Sequence, residues 1–366
     1  MADFDDYNYN ETITSTEDNI FQWSPIAWYW WIISQTCLSV IGLIGNTIVI
    51  YIYTFKIRQF SSMNRLIRGL AVADLCTSAF LSPIPLIARV PSSPLGHIYC
   101  KVIYPNNLMW ISIVASVYTL TMMSIEQCLA VLYPLKNRFM FSKSRSKIIL
   151  LMVWIASFLT NAFTYFASYR SEETGECTFD LGGRVTQSSI GVFIFSLEYF
   201  IPMTIMVATH VATLHCLRKQ AVALMDHVGS RSDEKTRRDS IMLRAHQRVL
   251  KMLFVVVLTF IICWTADQVS FFLFNIGILE RQFLFSNVYH AFVILAFVNS
   301  CANPFIYTAS NPQFRRALRT FWDAQESSSG NSIGKVEIHG RNSTAFTAAT
   351  TIDLPRVPLN NAGASI

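Results

Sequence analysis

The chain has 366 residues, of which 52% are hydrophobic and 14% charged, with a mean hydropathy of +0.37 and a formal net charge of +6. A water-soluble fold does not need so apolar a composition, so these values exclude an ordinary soluble protein and indicate a membrane protein. No nucleic-acid partner is expected.

Seven stretches are long and apolar enough to cross a membrane, because a hydrocarbon core about 30 Å thick takes about 20 helical residues. These spans lie near residues 29–54, 65–90, 101–133, 147–168, 187–216, 247–274 and 285–309. The predicted fold class is an all-α membrane protein, a bundle of seven transmembrane helices. A short amphipathic eighth helix is expected at residues 311–318, which open with a helix-start proline and alternate basic with apolar side chains.

Basic residues predict the orientation, because they stay on the cytosolic side of a membrane. The first 28 residues contain no Lys or Arg. The segments after spans 1, 3, 5 and 7, with the helix ends beside them, hold every basic residue except Arg89, Lys101, Arg170, Arg184 and Arg281. We therefore expect a multi-pass plasma-membrane protein with an extracellular amino terminus. The start, MADFDDYNYN, has neither a positive region nor an apolar core, so no cleaved signal peptide is expected.

The sequence divides into three regions. Residues 1–28 are an acidic extracellular tail, residues 29–322 hold the seven spans and the eighth helix, and residues 323–366 are Ser/Thr/Asn/Gly-rich and predicted to be disordered. The polar segment 217–246 is interpreted as extending helices 5 and 6 beyond the membrane. The acidic outer face is either a solvated surface or a means of steering a cationic ligand.

The topology separates the eight cysteines into two groups. Only Cys100 and Cys177 fall outside, and an oxidising exterior favours pairing of two lone thiols. We predict a disulfide between the top of span 3 and the loop after span 4, the alternative being two free extracellular thiols. Asn10 begins an Asn-Glu-Thr glycosylation acceptor on the same side.

Asp74 lies in the middle of span 2, where a charged side chain is costly and marks a functional site by default. Its candidate partners are Asn46, Ser116, Asn299, Ser300 and Asn303. Carboxylate, hydroxyl and amide oxygens suit a hard cation such as sodium. A hydrogen-bonded packing cluster or a protonated Asp74 explains the same residues equally well, so both interpretations stay open. Apart from a bound sodium ion, no cofactor is expected.

Motifs in all seven spans, in the same order, resemble those of rhodopsin-like G-protein-coupled receptors. They are Gly45-Asn46, LAVADL, Ser-Ile-Glu before LAVLYPL, Trp154, Pro202, Phe260 with Cys263-Trp264, and Asn303-Pro304-Phe305-Ile306-Tyr307. The resemblance implies a receptor that promotes nucleotide exchange on a heterotrimeric G protein. It also implies that the Asp74 cluster is a sodium pocket favouring the inactive state, that Cys100–Cys177 is the usual outer bridge, and that Trp264, Phe260 and Tyr307 move on activation.

Two residues that mark other ligand classes are absent from the sequence. Opsins share a lysine in span 7, and this sequence has Phe297 at that position. Amine receptors share an aspartate in span 3, and this sequence has Met109 there. Two acids remain, Glu198 and Asp267, and each has either a ligand role or a hydrogen bond to a neighbouring helix. We expect a peptide ligand, with a candidate binding set of Met109, Glu198, Trp264, Asp267 and Gln268.

The chain departs from the family pattern in the residues that surround activation. Glu126-Gln127-Cys128 stands where the family has Asp/Glu-Arg-Tyr, His210 replaces a tyrosine, and Ala266 replaces a proline. Glutamine cannot form the charge-assisted pair that arginine makes, so we expect Glu126 to be unpaired. Cys100 also lies two residues further from the triplet than usual, which predicts a bulge or a shifted bridge in span 3. The altered triplet reflects either drift or modified coupling.

The sequence as a whole predicts a G-protein-coupled receptor and not an enzyme, since it contains no phosphate loop and no His-Glu-x-x-His. The alternative is a non-signalling seven-helix ligand-binding or scavenger protein, suggested by the altered triplet. A transporter is disfavoured because no internal repeat is visible. Further expected partners are membrane lipid and, through the Ser/Thr-rich tail, arrestin and receptor kinases.

Overall fold

A computed structural model describes residues 21–23, 28–57, 61–81, 87–228 and 234–333. Each predicted span appears there as a long helix, and an eighth helix follows. Their bounds are α1 Trp30–Tyr51, α2 Ser62–Phe80, α3 Asn107–Leu132, α4 Lys143–Asn161, α5 Ile201–Val228, α6 Glu234–Asn275, α7 Asn287–Ser310 and α8 Pro312–Ile333. The predicted all-α bundle is confirmed.

The second span ends earlier than predicted. Within the described residues, six helices are long and apolar enough to cross a membrane, and α2 is not among them because its 19 residues include Arg65, Arg68 and Asp74. The predicted span ran to residue 90, but α2 ends at Phe80 and residues 87–89 form a strand. That carboxyl-terminal boundary was wrong. Pro83 follows in the sequence, and proline lacks the amide hydrogen that a continuing helix needs.

The later helices extend beyond their apolar spans into polar sequence. Residues 217–228 continue α5 and residues 234–246 begin α6, as the interpretation of segment 217–246 predicted. The eighth helix runs to Ile333, so the prediction of disorder was wrong for residues 323–333. Ala324, Gln325 and Glu326 at the start of this stretch are good helix formers and continue the helix. Residues 334–366 and Asn10 lie outside the described residues.

The chain divides into two compact units, residues 1–320 and residues 321–366. The second contains the end of the eighth helix, where the rings of Phe321 and Trp322 meet edge to face with centroids 5.5 Å apart. The first holds the helical bundle, in which α3 packs against α2, α4, α5 and α6. Its central position places the polar side chains of α3 against several helices at once.

One end of the bundle, here called the disulfide end, is closed by strands and a covalent bridge. Cys100 and Cys177 form the predicted disulfide, with their Cα atoms 5.2 Å apart. The side chain of Arg170 donates to the carbonyl of Val90 at 2.7 Å. The antiparallel strand pairs at this end are β1 Gln22–Trp23 with β2 Ile87–Arg89, and β3 Ser168–Arg170 with β4 Cys177–Phe179.

A bulge precedes α3. Residues Tyr99–Ile103 form a π-helical turn, and Asn106 has φ 53° and ψ 36°, a left-handed conformation that is uncommon for a residue other than glycine. Asn107 donates to the carbonyl of Lys101 at 2.7 Å, and its Oδ1 accepts a hydrogen bond from the hydroxyl of Thr164. The bulge predicted from the spacing of Cys100 is present, and Asn107 connects it to the short helix Phe163–Ala167 through Thr164.

Candidate functional site: three polar clusters in the bundle

The first polar cluster surrounds Asp74, which is fully buried. Ser116 of α3 donates to its Oδ1 at 2.7 Å, and Asn303 of α7 donates to its Oδ2 at 2.7 Å. The hydroxyl of Ser300 also bonds to the carboxyl group. One carboxyl group therefore joins α2, α3 and α7.

Three buried amide oxygens on α1 and α7 have no hydrogen-bond partner in the described structure. They are the Oδ1 atoms of Asn46, Asn299 and Asn303. Asn46 reaches the cluster, since its Nδ2 donates to the carbonyl of Ser300 at 3.1 Å. Each unsatisfied acceptor costs about 1–3 kcal/mol, which a cation or a water molecule would offset.

The donor set of this cluster suits a hard cation. No group of three His, Cys, Asp or Glu side chains among the described residues is placed to hold a metal ion. Asp74 instead supplies one carboxylate, and the asparagines and serines supply neutral oxygens. Sodium prefers oxygen ligands of this kind over the nitrogen and sulfur ligands that select transition metals.

The second cluster lies between α6 and the π-helical turn Phe195–Phe200 that leads into α5. Glu198 and Asp267 are 8% and 3% exposed and close enough for their charges to interact. Tyr289 of α7 makes a hydrogen bond to Asp267. The Nε2 atom of Gln268 lies 3.5 Å from the Oδ2 atom of Asp267, at the outer limit of a hydrogen bond.

This second cluster has more acceptors than donors. The Oδ1 atom of Asp267 and the Oε1 atom of Gln268 are buried without a partner. A buried carboxylate without a counter-charge is costly, so the site is complementary to a cation. Of the remaining predicted ligand residues, Met109 and Trp264 are buried in the main hydrophobic core, and the indole nitrogen of Trp264 has no partner in the described structure.

The third cluster lies at the triplet end, our name for the end of the bundle where α3 finishes after Glu126. The Oε1 atom of Glu126 accepts hydrogen bonds from the hydroxyl of Ser62 and from Nδ2 of Asn137, the latter at 3.3 Å. The guanidinium of Arg65 lies within electrostatic reach of the carboxylate. The expectation of an unpaired Glu126 was therefore wrong, because the first turn of α2 supplies both a donor and a positive charge.

Gln127 connects α3 to α6 without a charge. Its Nε2 atom donates to the backbone carbonyl of His246 at 3.3 Å, and the side chain is 4% exposed. A cavity of about 530 Å³ opens beside this contact, lined by residues that include Ser62, Gln127, His246, Asn311 and Arg316. The departure from the family triplet leaves a neutral hydrogen bond between the two helices.

Two of the other predicted switch residues, Phe260 and Tyr307, are packed in the core, whereas His210 is half-buried and lies outside it. Tyr307 is fully buried, its hydroxyl has no partner in the described structure, and its ring lies 6.2 Å from that of Phe314. Phe260 packs against Tyr199 at 6.0 Å. The Nδ1 atom of His210 lies 2.9 Å from the carbonyl of Met206 on its own helix.

Comparison with known proteins decides the family. The sequence profile described as "7 transmembrane receptor (rhodopsin family)" matches residues 45–307. The chain belongs to this family. It is a G-protein-coupled receptor and a multi-pass membrane protein, as predicted, and the family consists of receptors and not of enzymes. The non-signalling alternative is not favoured.

Individual relatives of this rhodopsin-family receptor are distant but extensive. The Allatostatin-A receptor of Bombyx mori is 26% identical over 290 residues, covering 77% of this chain and 76% of the relative. Somatostatin receptor type 2 of Mus musculus is 27% identical over 294 residues, covering 77% and 74%. The QRFP-like peptide receptor of Branchiostoma floridae is 26% identical over 291 residues, covering 76% and 73%.

Sequence reasoning missed several members of these clusters. Ser62 and Arg65 lie in the first turn of α2, and Asn137 lies in the short helix Pro134–Met140. Their closeness to Glu126 depends on how these helices pack against α3, which the sequence pattern does not show. Tyr289 near Asp267 was missed because aromatic residues are common at helix ends. The partner of Gln127 is a backbone carbonyl, and no residue type marks such an acceptor.

Proposed function

We propose that this rhodopsin-family receptor lies in the plasma membrane with its amino terminus outside and couples the binding of a basic peptide to nucleotide exchange on a heterotrimeric G protein. The observation that carries the ligand class is the buried pair of Glu198 and Asp267, with one oxygen of Asp267 unpartnered. The Ser/Thr-rich tail is the proposed contact for receptor kinases and arrestin.

A cationic side chain fits this pair for an electrostatic reason. Two carboxyl groups that interact in a buried site disfavour each other's charged form. An Arg or Lys side chain entering this cluster would supply the missing counter-charge, and the fork of a guanidinium would in addition match two acceptors. The unpartnered oxygens of Asp267 and Gln268 are acceptors that such a group would satisfy.

Two further observations support a peptide. Relatives of this receptor are named for peptide ligands, as in the QRFP-like peptide receptor. The hairpin of β3 and β4 at the disulfide end carries Glu172, Glu173 and Glu176. A ligand of opposite charge would be concentrated there before it reaches the buried pair.

The same charge distribution supports the orientation. Glu126, Lys136 and Arg138 lie at the triplet end with most of the basic residues of the chain. Basic loops stay on the cytosolic side, which puts the disulfide end outside, where disulfides form. The cavity beside Gln127 would then face the cytosol and the G protein.

The test uses a panel of basic peptides, each paired with a copy in which citrulline, the neutral analogue of arginine, replaces one Arg. Peptide-stimulated nucleotide exchange is measured in membranes from cells that express the receptor. Asp267→Asn should raise the half-maximal concentration of an Arg peptide by about 30-fold, because removing one partner of a buried ion pair costs at least about 2 kcal/mol. The citrulline copy should lose potency on the wild type and little more on the variant.

Glu173→Gln is the matched control, since Glu173 is an exposed acid on the hairpin. It should change potency far less than Asp267→Asn. Peptides that bind without stimulating exchange would support the non-signalling alternative. Equal potency of the Arg and citrulline copies on the wild type would refute the cationic ligand while leaving the receptor function intact.

We further propose that the Asp74 cluster binds a sodium ion that favours the inactive state. The support is the buried carboxyl group of Asp74, to which Asn303 donates, and the amide oxygens of Asn46 and Asn303 that have no partner in the described structure. Agonist affinity should then fall when sodium replaces a bulky organic cation at constant ionic strength, and Asp74→Asn should abolish that dependence. A wild-type affinity that is insensitive to sodium would leave packing as the role of the cluster.

A further inference from the structure

A short helix between α3 and α4, Pro134–Met140, is here called the loop helix. None of its residues is buried. A cavity of about 460 Å³ is lined by residues of the loop helix and of α2. Burial of apolar surface therefore contributes little to holding this helix, and its position depends on polar contacts.

The loop helix presents apolar side chains at the triplet end. Leu135 and Phe139 are 85% and 66% exposed, and their spacing of four residues puts them on one face of the helix. An exposed apolar face of this kind suits docking against another protein. Because a docking element that is already ordered loses less entropy on binding, the order of the loop helix should affect how tightly a partner binds.

Arg65 of α2 reaches the end of the loop helix. Its Nη2 atom donates to the backbone carbonyl of Phe141 at 2.9 Å and to the hydroxyl of Ser146 at 3.1 Å. The loop helix ends at Phe141, Ser146 lies in the first turn of α4, and both residues are buried. Arg145 of α4 donates to the carbonyl of Phe139 at 3.0 Å, which ties the loop helix only to the next helix in the chain. Arg65 joins it to α2 and α4 together.

The same guanidinium lies within electrostatic reach of Glu126. Asn137 of the loop helix donates to the Oε1 atom of Glu126 at 3.3 Å. An arginine at position 127 would bring its charge from α3 itself, whereas the charge of Arg65 comes from α2 on a side chain that also holds the loop helix. The cation near Glu126 and the position of the loop helix therefore depend on one residue.

We propose that Arg65 is a positioning residue for G-protein coupling. Its guanidinium holds the loop helix between α2 and α4, so that the G protein meets a surface that is already ordered. The bonds to the loop helix carry this effect, and the charge near Glu126 does not replace them. The inference rests on the proposed contact of the G protein with the triplet end.

The test combines two measurements on the purified receptor. Hydrogen–deuterium exchange of the backbone amides of residues 134–141 reports the order of the loop helix. Basal nucleotide exchange is followed while the concentration of a purified heterotrimer is varied, with the heterotrimer on which the wild type has the highest basal rate.

Arg65→Met keeps an unbranched side chain and removes the guanidinium. The amides of the loop helix should exchange about tenfold faster, and the G-protein concentration for the half-maximal rate should rise about tenfold, which corresponds to about 1.4 kcal/mol. The maximal rate should not change, because the contact acts on the order of the docking surface and not on the step that releases nucleotide.

Arg68→Met is the matched control, because it removes the same charge one turn further along α2. It should match the wild type in both measurements. Ser146→Ala leaves the charge of Arg65 in place and removes one of its two acceptors, so it should give a smaller change in the same direction as Arg65→Met. It also tests the proposal if thermal unfolding shows that Arg65→Met does not fold.

A relocated charge separates positioning from electrostatics. Gln127→Arg in the Arg65→Met background returns a cation to Glu126 but not to the loop helix, so the fast amide exchange and the raised half-maximal concentration should both persist. Recovery of both would overturn the proposal, since Arg65 would then act only as a counter-charge.

Three other results would also overturn it: wild-type amide exchange in Arg65→Met, the same change in Arg68→Met, or faster amides with an unchanged half-maximal concentration. A wild type that promotes exchange on no heterotrimer would refute the proposed function instead, and amide exchange would still decide whether Arg65 holds the loop helix.

Discussion

The Asp74 and Glu126 clusters are built from the same contact and differ in what surrounds it. In each, a serine hydroxyl bonds a carboxyl group across the α2–α3 interface: Ser116 of α3 bonds Asp74, and Ser62 of α2 bonds Glu126. Around Asp74, amide oxygens are left without donors. Around Glu126, Asn137 and Arg65 supply donors and charge. Among the described residues, a basic side chain acts on the carboxyl group only in the second cluster.

This difference bears on how the receptor accommodates glutamine in place of the family's arginine at position 127. Position 127 holds glutamine where the family pattern has arginine, and two other interactions lie near it. Arg65 supplies the positive charge near Glu126, and Gln127 supplies a contact with α6 through the carbonyl of His246. We expect the contact of Gln127 to be weaker than one made by an arginine, because a neutral hydrogen bond contributes about half as much as a charge-assisted one.

The largest expected effect is on Asp74. Asp74→Leu removes the acceptor for Ser116 and Asn303 in the middle of the bundle, so the receptor should lose about 3 kcal/mol of stability. Asp74→Asn keeps one acceptor oxygen and should lose much less. Thermal unfolding of the purified receptor checks both variants. Equal melting temperatures for Asp74→Leu and the wild type would mean that the cluster does not hold α2, α3 and α7 together.

A smaller effect is expected from the equivalent change at Glu126. Glu126→Leu also removes an acceptor for two donors, but Ser62 and Asn137 line the cavity at the triplet end, where water can replace the carboxylate. The expected loss is about 1 kcal/mol. A destabilisation as large as that of Asp74→Leu would contradict the distinction between the two clusters.

The smallest stability effect separates the two serines. Ser116→Ala and Ser62→Ala each remove one hydrogen bond and should cost about 1 kcal/mol or less. Only Ser116→Ala should weaken the sodium dependence of agonist affinity, since Ser62 lies away from Asp74. The same assay run on both variants checks this, and a sodium dependence lost in Ser62→Ala would mean that the clusters are not independent.

The sequence predicted features that depend on composition and on the order of motifs along the chain. It did not predict contacts between residues that are distant in the sequence. Hydropathy located all seven spans, and topology paired Cys100 with Cys177. The spacing of Cys100 predicted the bulge before α3, although only the structure shows the left-handed Asn106 and the hydrogen bonds of Asn107. The end of α2 was missed because the apolar run continues past Phe80, and hydropathy does not register where a helix stops.

The candidate site divides in the same way. Asp74, Ser116 and Asn303 were predicted together because buried polar residues are few and need partners. The surroundings of Glu126 were predicted wrongly, because a residue pattern centred on position 127 gives no indication that Arg65 approaches from another helix. Backbone acceptors such as the carbonyl of His246 carry no sequence signal at all.

We expect Gln127 to restrain the receptor through a neutral hydrogen bond to α6 and to contact the G protein weakly. The most direct measurement is basal and agonist-stimulated nucleotide exchange on purified G protein, with wild type, Gln127→Ala, Gln127→Arg and the neighbouring control Cys128→Ala at matched receptor density. His210→Tyr is added to Gln127→Arg to meet the new arginine.

Gln127→Ala should raise basal exchange by up to about fivefold, the equivalent of one hydrogen bond of about 1 kcal/mol. Gln127→Arg should raise the agonist-stimulated maximum, with the larger gain when His210→Tyr is present, and Cys128→Ala should match the wild type. Basal and maximal rates in the wild type equal to those of all the Gln127 variants would contradict the account, since the neutral side chain would then neither restrain the receptor nor limit its coupling.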